Sequence, residues 1–144
     1  MNAHTLGHLH SMQLAQVTDN ADPDHRGRIK VRLQSSPMEM WASVVAPSAG
    51  NGYGASFVPR LDEIVVVAFI NQDTALILGS IWCGNDSRPQ DADPQEQHYV
   101  IRTPSETVLE FDDNDPKVEL RTRSGYRITV TESGGGEVSI ERGS

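Results

Sequence analysis

The chain has a single cysteine, Cys83, in 144 residues, so no intrachain disulfide can brace it. That usage agrees with synthesis in a reducing cytoplasm, where Cys83 is expected to serve packing. Long apolar runs are missing too. The longest, Ile64–Ile70, is far short of the roughly 20 residues a membrane-spanning helix needs. Residues Met1–Met12 hold histidines where a secretory signal would have a basic start and a continuous apolar stretch. On this reading the protein is soluble as made, and any membrane encounter is transient. Positive charge is scarce, with 12 Lys and Arg against 20 Asp and Glu and a net charge of -8. This opposes a nucleic-acid backbone partner, which clustered Lys and Arg would have to hold.

Catalytic patterns are also absent. The chain contains no Gly-x-Ser-x-Gly elbow, no Cys-x-x-Cys pair and no His-Glu-x-x-His helix. The expectation is a protein that is not an enzyme and carries no cofactor.

What the chain does have is β-branched alternation. No stretch between residues 13 and 83 keeps a helical period for three turns, whereas several runs alternate apolar and polar residues. The expected strands are Gln13–Thr18, then Gly27–Leu33 after a polar Asp/Pro turn, Trp41–Ala46, a short piece at Ala55–Val58, Ile64–Ile70 and Ala75–Trp82. Ile29, Val31 and Leu33 face inward, and Arg28, Lys30 and Arg32 face water. The run Ile64–Phe69 is too apolar for one wet face and is expected as the central strand of a closed barrel. Short strands with tight Gly and Pro turns suit a five-stranded barrel of the OB kind. Residues 84–97 contain almost nothing that could be buried and read as a linker.

Beyond it one small unit repeats, an apolar-x-apolar pair: Tyr99/Ile101, Leu109/Phe111, Val118/Leu120, Ile128/Val130 and Val138/Ile140. The pairs recur about every nine or ten residues with polar turns between them, as in stacked architectures whose units cannot bury their own apolar face. Two inward side chains per unit supply little burial against the entropy of ordering the whole unit. Copies are therefore expected to wind together, and three around a dry axis is the simplest closed solution. The alternative is an ordinary β-meander. Alternation puts Leu120 toward the axis and Arg121 outward.

Five groups of residues taken in order resemble a known family: Gly27-x-Ile29-x-Val31, Trp41-Ala42-x-Val44-Val45-x-Pro47-x-Ala49-Gly50, Gly52-x-Gly54-x-x-Phe57-x-Pro59, Asp62-Glu63-Ile64-x-Val66-x-x-Phe69 and Leu78-Gly79-Ser80-Ile81-Trp82. They are similar to the central spike proteins of contractile injection systems, including the phage baseplate assembly protein V family and the VgrG proteins of type VI secretion. The stretches Leu109–Asp113 and Ser124–Ile128 look like the start of that family's β-prism. The resemblance implies an all-β protein with an N-terminal arm (1–12), a five-stranded OB-fold barrel (13–83), a linker (84–97) and a short intertwined trimeric β-helix, or β-prism (98–144).

Its implied role is that of a homotrimeric spike, docked by an OB collar on a baseplate hub at the end of the inner tail tube. Sheath contraction would drive it through a target envelope. The implied trimer core is Ile101, Leu109, Phe111, Val118, Leu120, Ile128, Val130, Val138 and Ile140, with Val138 and Ile140 meeting a PAAR-type tip protein. Assembly into a phage tail or phage-like particle would follow cytoplasmic synthesis. Family members that digest cell wall carry a lysozyme domain between barrel and needle, and here the linker stands in that place. Five strands at about 4.8 Å stack to roughly 24 Å, a brief needle. The alternative from fold alone is an OB oligonucleotide binder.

The remaining candidates have plainer readings. Ala49–Gly54 resembles a phosphate-cradling loop, yet no Lys-Ser/Thr pair or helix start follows it, so it reads as a turn. His4, His8 and His10 include a His-x-His pair but lie opposite the expected tip, and they read as an arm. His25 and His98 read as structural. Asp112, Asp113 and Asp115 lack the Gly and Glu of a calcium loop and read as turn formers. Trp41, Phe57, Phe69 and Trp82 are expected in core or subunit contacts, and Arg28, Lys30 and Arg32 against a neighbouring protein.

Overall fold

A computed structural model describes residues 12–143, whose regular structure is β-strand with two short 3-10 turns. Two compact units divide between Cys83 and Gly84. The histidines His4, His8 and His10 lie outside the described residues.

The first unit is built on β1 (Met12–Asp19), β2 (Ile29–Leu33), β3 (Glu39–Val44), β6 (Ile64–Asn71) and β7 (Thr74–Ile81), with a two-residue hairpin, β4 (Ala49–Gly50) and β5 (Tyr53–Gly54), between β3 and β6. The large strands close in the order β1-β2-β3-β7-β6, the closure of an OB-like barrel. All pairs are antiparallel except β3 with β7, which run parallel through Ser43↔Leu76 and Val44↔Ile77. Closure leaves no free edge. The alternation read from the sequence holds: Ile29, Val31 and Leu33 join Ala15, Val17, Ala42, Val65, Val67, Ala75 and Ile77 in the core.

Two local expectations fail, the strand at Ala55–Val58 and the packed Cys83. Ala55–Val58 is not a strand; the chain there leaves the β4–β5 hairpin after Ala55 N–H bonds to Ser48 O at 3.1 Å. Of the four aromatics, only Phe69 packs against the barrel core, while Phe57 and Trp82 are exposed. Trp41 lies under Arg28 and Lys30, whose cationic groups stand 5.8 and 5.9 Å from its ring centroid. Cys83 is exposed rather than packed.

The second unit is one antiparallel sheet of five strands in chain order: β8 (His98–Arg102), β9 (Val108–Asp112), β10 (Lys117–Arg121), β11 (Arg127–Thr131) and β12 (Glu137–Glu141). Short turns join the strands, and each ladder runs in register for five residues. Its hydrogen bonds join consecutive strands of a single chain, which is the meander pattern. A 3-10 turn at Gln90–Ala92 precedes the sheet.

Candidate assembly surface

The strict registers of β8–β12 carry the sequence pairs into two straight rows. Tyr99 stands opposite Phe111, Phe111 opposite Val118, Val118 opposite Val130, and Val130 opposite Val138. One step along, Ile101, Leu109, Leu120, Ile128 and Ile140 line up in the same way. Side chains two apart on a strand share a face, so all ten lie on one side of the sheet. At about 4.8 Å per strand the rows cross roughly 20 Å.

Nine of the ten side chains on this face, all but the half-buried Leu109, are exposed in the single chain. Phe111 keeps 42%, Leu120 42%, Val138 68% and Ile140 80% of its surface exposed. Barrel residues of the same chemistry, such as Val31 and Val67, keep none. A contiguous exposed apolar patch of this kind is characteristic of interaction surfaces.

The opposite face is mostly polar, with Val108 buried in it, and an ion cluster forms there around Arg121. Arg121 donates from Nη1 to Glu110 Oε2 and Glu119 Oε1, both at 2.7 Å, and from Nη2 to Asp91. Arg102 Nη1 donates to the other Asp91 oxygen at 2.6 Å, and Arg127 lies 3.7 Å from Glu119 Oε2. Burial alone would lower the Arg121 pKa, but the carboxylates of Glu110, Glu119 and Asp91 outweigh it and hold the guanidinium charged. Burial likewise pushes the Asp91 and Glu110 carboxyls up, and bonds from Arg102 and Arg121 to the first and from Arg121 and His98 to the second bring both below their ordinary values. Arg121 therefore points away from the apolar rows, as alternation requires, and is engaged by three carboxylates on that face. Asp91, in the stretch read as a linker, bonds to the sheet that follows.

On the barrel the basic stripe is also engaged. Arg28 bonds to both oxygens of Asp22, whose carboxylate further accepts backbone N–H groups of Asp24, Arg26 and Arg28 at 3.0 Å. Lys30 stands 3.5 Å from Glu39 and Arg32 donates to Gln16. The stripe is thus used within its own barrel. The Ala49–Gly54 stretch is a tight hairpin, with Gly54 at φ +144°. Above it lies an open depression of about 450 Å³ lined by Tyr53, Phe57 and Val58 among others, without a charged side chain. Asp112 is a turn former as expected, since its Oδ1 accepts the backbone N–H groups of Asn114 and Asp115.

With this architecture in place, comparison with protein-family models finds the type VI secretion system/phage-baseplate injector OB domain over residues 13–82. These residues belong to that injector OB family. The match ends where the barrel ends. Proteins of the injector family are structural baseplate components, typically without enzymatic activity. A search of curated proteins finds no match to the chain. Among the described residues no helix is long and apolar enough to cross a membrane.

Proposed function

We propose that this protein is the central spike of a contractile injection machine, in which three copies bury the apolar rows of β8–β12 against one another. The observation that carries the proposal is the apolar face: ten apolar side chains in two straight rows, nine of them exposed, on a sheet whose other face carries the Arg121 ion cluster. Three such sheets placed face inward make a triangular prism with a dry axis, each chain supplying one wall. Because the ladder of each wall lies within its own chain, the contact between copies is side-chain packing of Ile101, Leu109, Phe111, Val118, Leu120, Ile128, Val130, Val138 and Ile140.

The injector OB barrel would form a collar on a baseplate hub at the end of the inner tube. The sheet would be the point that contraction drives through a target envelope, with only transient membrane contact. Stiffness along the axis is the physical requirement, and a closed prism with hydrogen-bonded walls meets it without chemistry. β12 is the last strand of the sheet, and Val138 and Ile140 are the most exposed of the rows, so a PAAR-type tip protein would sit there. The test is native mass spectrometry of the full chain together with titration by single-stranded DNA. A three-copy particle that ignores DNA is the expected result. A one-copy particle, or DNA binding that weakens steeply with salt, would remove the proposal.

A further inference from the structure

His98, read from the sequence as structural, stands between two carboxylates on the polar face of the sheet. It opens β8 directly opposite Asp112 on β9, and Glu110 lies two residues before Asp112 on the same face. The three side chains are mostly buried, with 15%, 12% and 13% of their surface exposed for His98, Glu110 and Asp112. His98 Nδ1 is 2.9 Å from Glu110 Oε1, a hydrogen bond. Nε2 is 3.9 Å from Asp112 Oδ1, too long for a hydrogen bond.

That gap has the dimensions of a metal site. Two ligands each about 2.1 Å from one ion stand roughly 3 to 4.2 Å apart. A neutral imidazole has one N–H and one lone pair. In the tautomer that donates Nδ1–H to Glu110, the Nε2 lone pair is left for a cation on the Asp112 side, where the carboxylate offers a second lone-pair donor. A carboxylate that fixes the tautomer of a ligating histidine from the far ring nitrogen is a recurrent second layer of zinc sites. Here Glu110 is itself anchored, because Arg121 holds its other oxygen, and the Asp112 carboxylate is aimed by the backbone N–H groups of Asn114 and Asp115.

We infer that His98 Nε2 and the Asp112 carboxylate bind a zinc-class divalent cation, with Glu110 orienting the imidazole. The presence of an imidazole ligand favours zinc, nickel or cobalt over magnesium and calcium, which take oxygen ligands. Lys117 stands opposite Asp112 on β10 and competes for the carboxylate, so the affinity is modest. The bound ion ties the first strand of the sheet to the second. This inference does not depend on the spike reading.

The experiment uses the full chain with His4→Ala, His8→Ala and His10→Ala, so that the N-terminal histidines do not take up metal. Calorimetric titration with zinc should show saturable binding of one ion per chain below about 1 mM, and magnesium should show none. Asp112→Asn and His98→Gln should each weaken zinc binding at least tenfold, and Glu110→Gln by about 10- to 100-fold. Imidazole nitrogen NMR of the parent chain provides a readout free of folding defects, since zinc should shift Nε2 of His98 and leave Nδ1 protonated. Absence of saturable binding, full affinity in His98→Gln, or an unchanged Nε2 resonance would overturn the inference.

Discussion

Arg121 on β10 is bonded to Glu110 on β9 at 2.7 Å, directly behind the pair Leu120 and Leu109 that meets on the other face. One strand pair thus carries an ion cluster on one side and part of the apolar rows on the other. Arg121→Glu would place a fourth carboxylate among Glu110, Glu119 and Asp91. We expect a loss of about 2–4 kcal/mol, toward the lower end for a partly exposed group. Arg121→Met, which removes the charge but keeps the stem, should cost less. Urea unfolding of the sheet, followed by Tyr99 and Tyr126 fluorescence, checks both.

Acid should weaken the same face of the sheet. Asp91, Glu110 and Asp112 all have pKa values lowered by folding, so each contributes stability that is fully present above its unfolded value, near 4. That contribution fades as pH falls through the lower folded values. The melting temperature should therefore be level from pH 7 to about 5 and fall below about 4. Asp91→Asn should lower the plateau and flatten the acid limb. A variant whose acid limb matches the parent's would show that Asp91 takes no part.

The β4–β5 hairpin offers a backbone test. A side chain at Gly54, at φ +144°, would put Cβ 2.2 Å from Ser48 O. Gly54→Ala should cost about 1–3 kcal/mol and loosen the apolar depression around Tyr53 and Phe57. Gly52, at φ +79° with open space where a Cβ would stand, should accept Asn with little loss, because Asn tolerates the left-handed region. Denaturant midpoints of the two variants make the comparison.

Much of this was legible in the sequence because β periodicity is exact. The alternation of Ile29, Val31 and Leu33 placed them in the barrel core, and the x-spaced pairs from Tyr99 to Ile140 gave the shared face without any knowledge of register. What alternation does not encode is the partner of a polar side chain. Arg121 reaches Asp91, thirty residues away in sequence, and nothing local to either residue predicts it. The hairpin at Ala49–Gly54 was recognised as a turn from its glycines, but Ala55–Val58 was read as a strand because a short run with Phe57 and Val58 looks the same whether or not it has a ladder partner. His98 looked inert for a related reason. Its significance comes from lying opposite Asp112, which only the β8–β9 register reveals.

The spike reading requires that two further copies of the chain bury the apolar rows of β8–β12. Sedimentation velocity of the full chain beside Leu120→Asp, at micromolar concentration, tests it most directly. The parent should sediment as a trimer and the variant as monomers, since three aspartates would otherwise meet on one dry axis. A monomeric parent, or a variant as trimeric and heat-resistant as the parent, would contradict it.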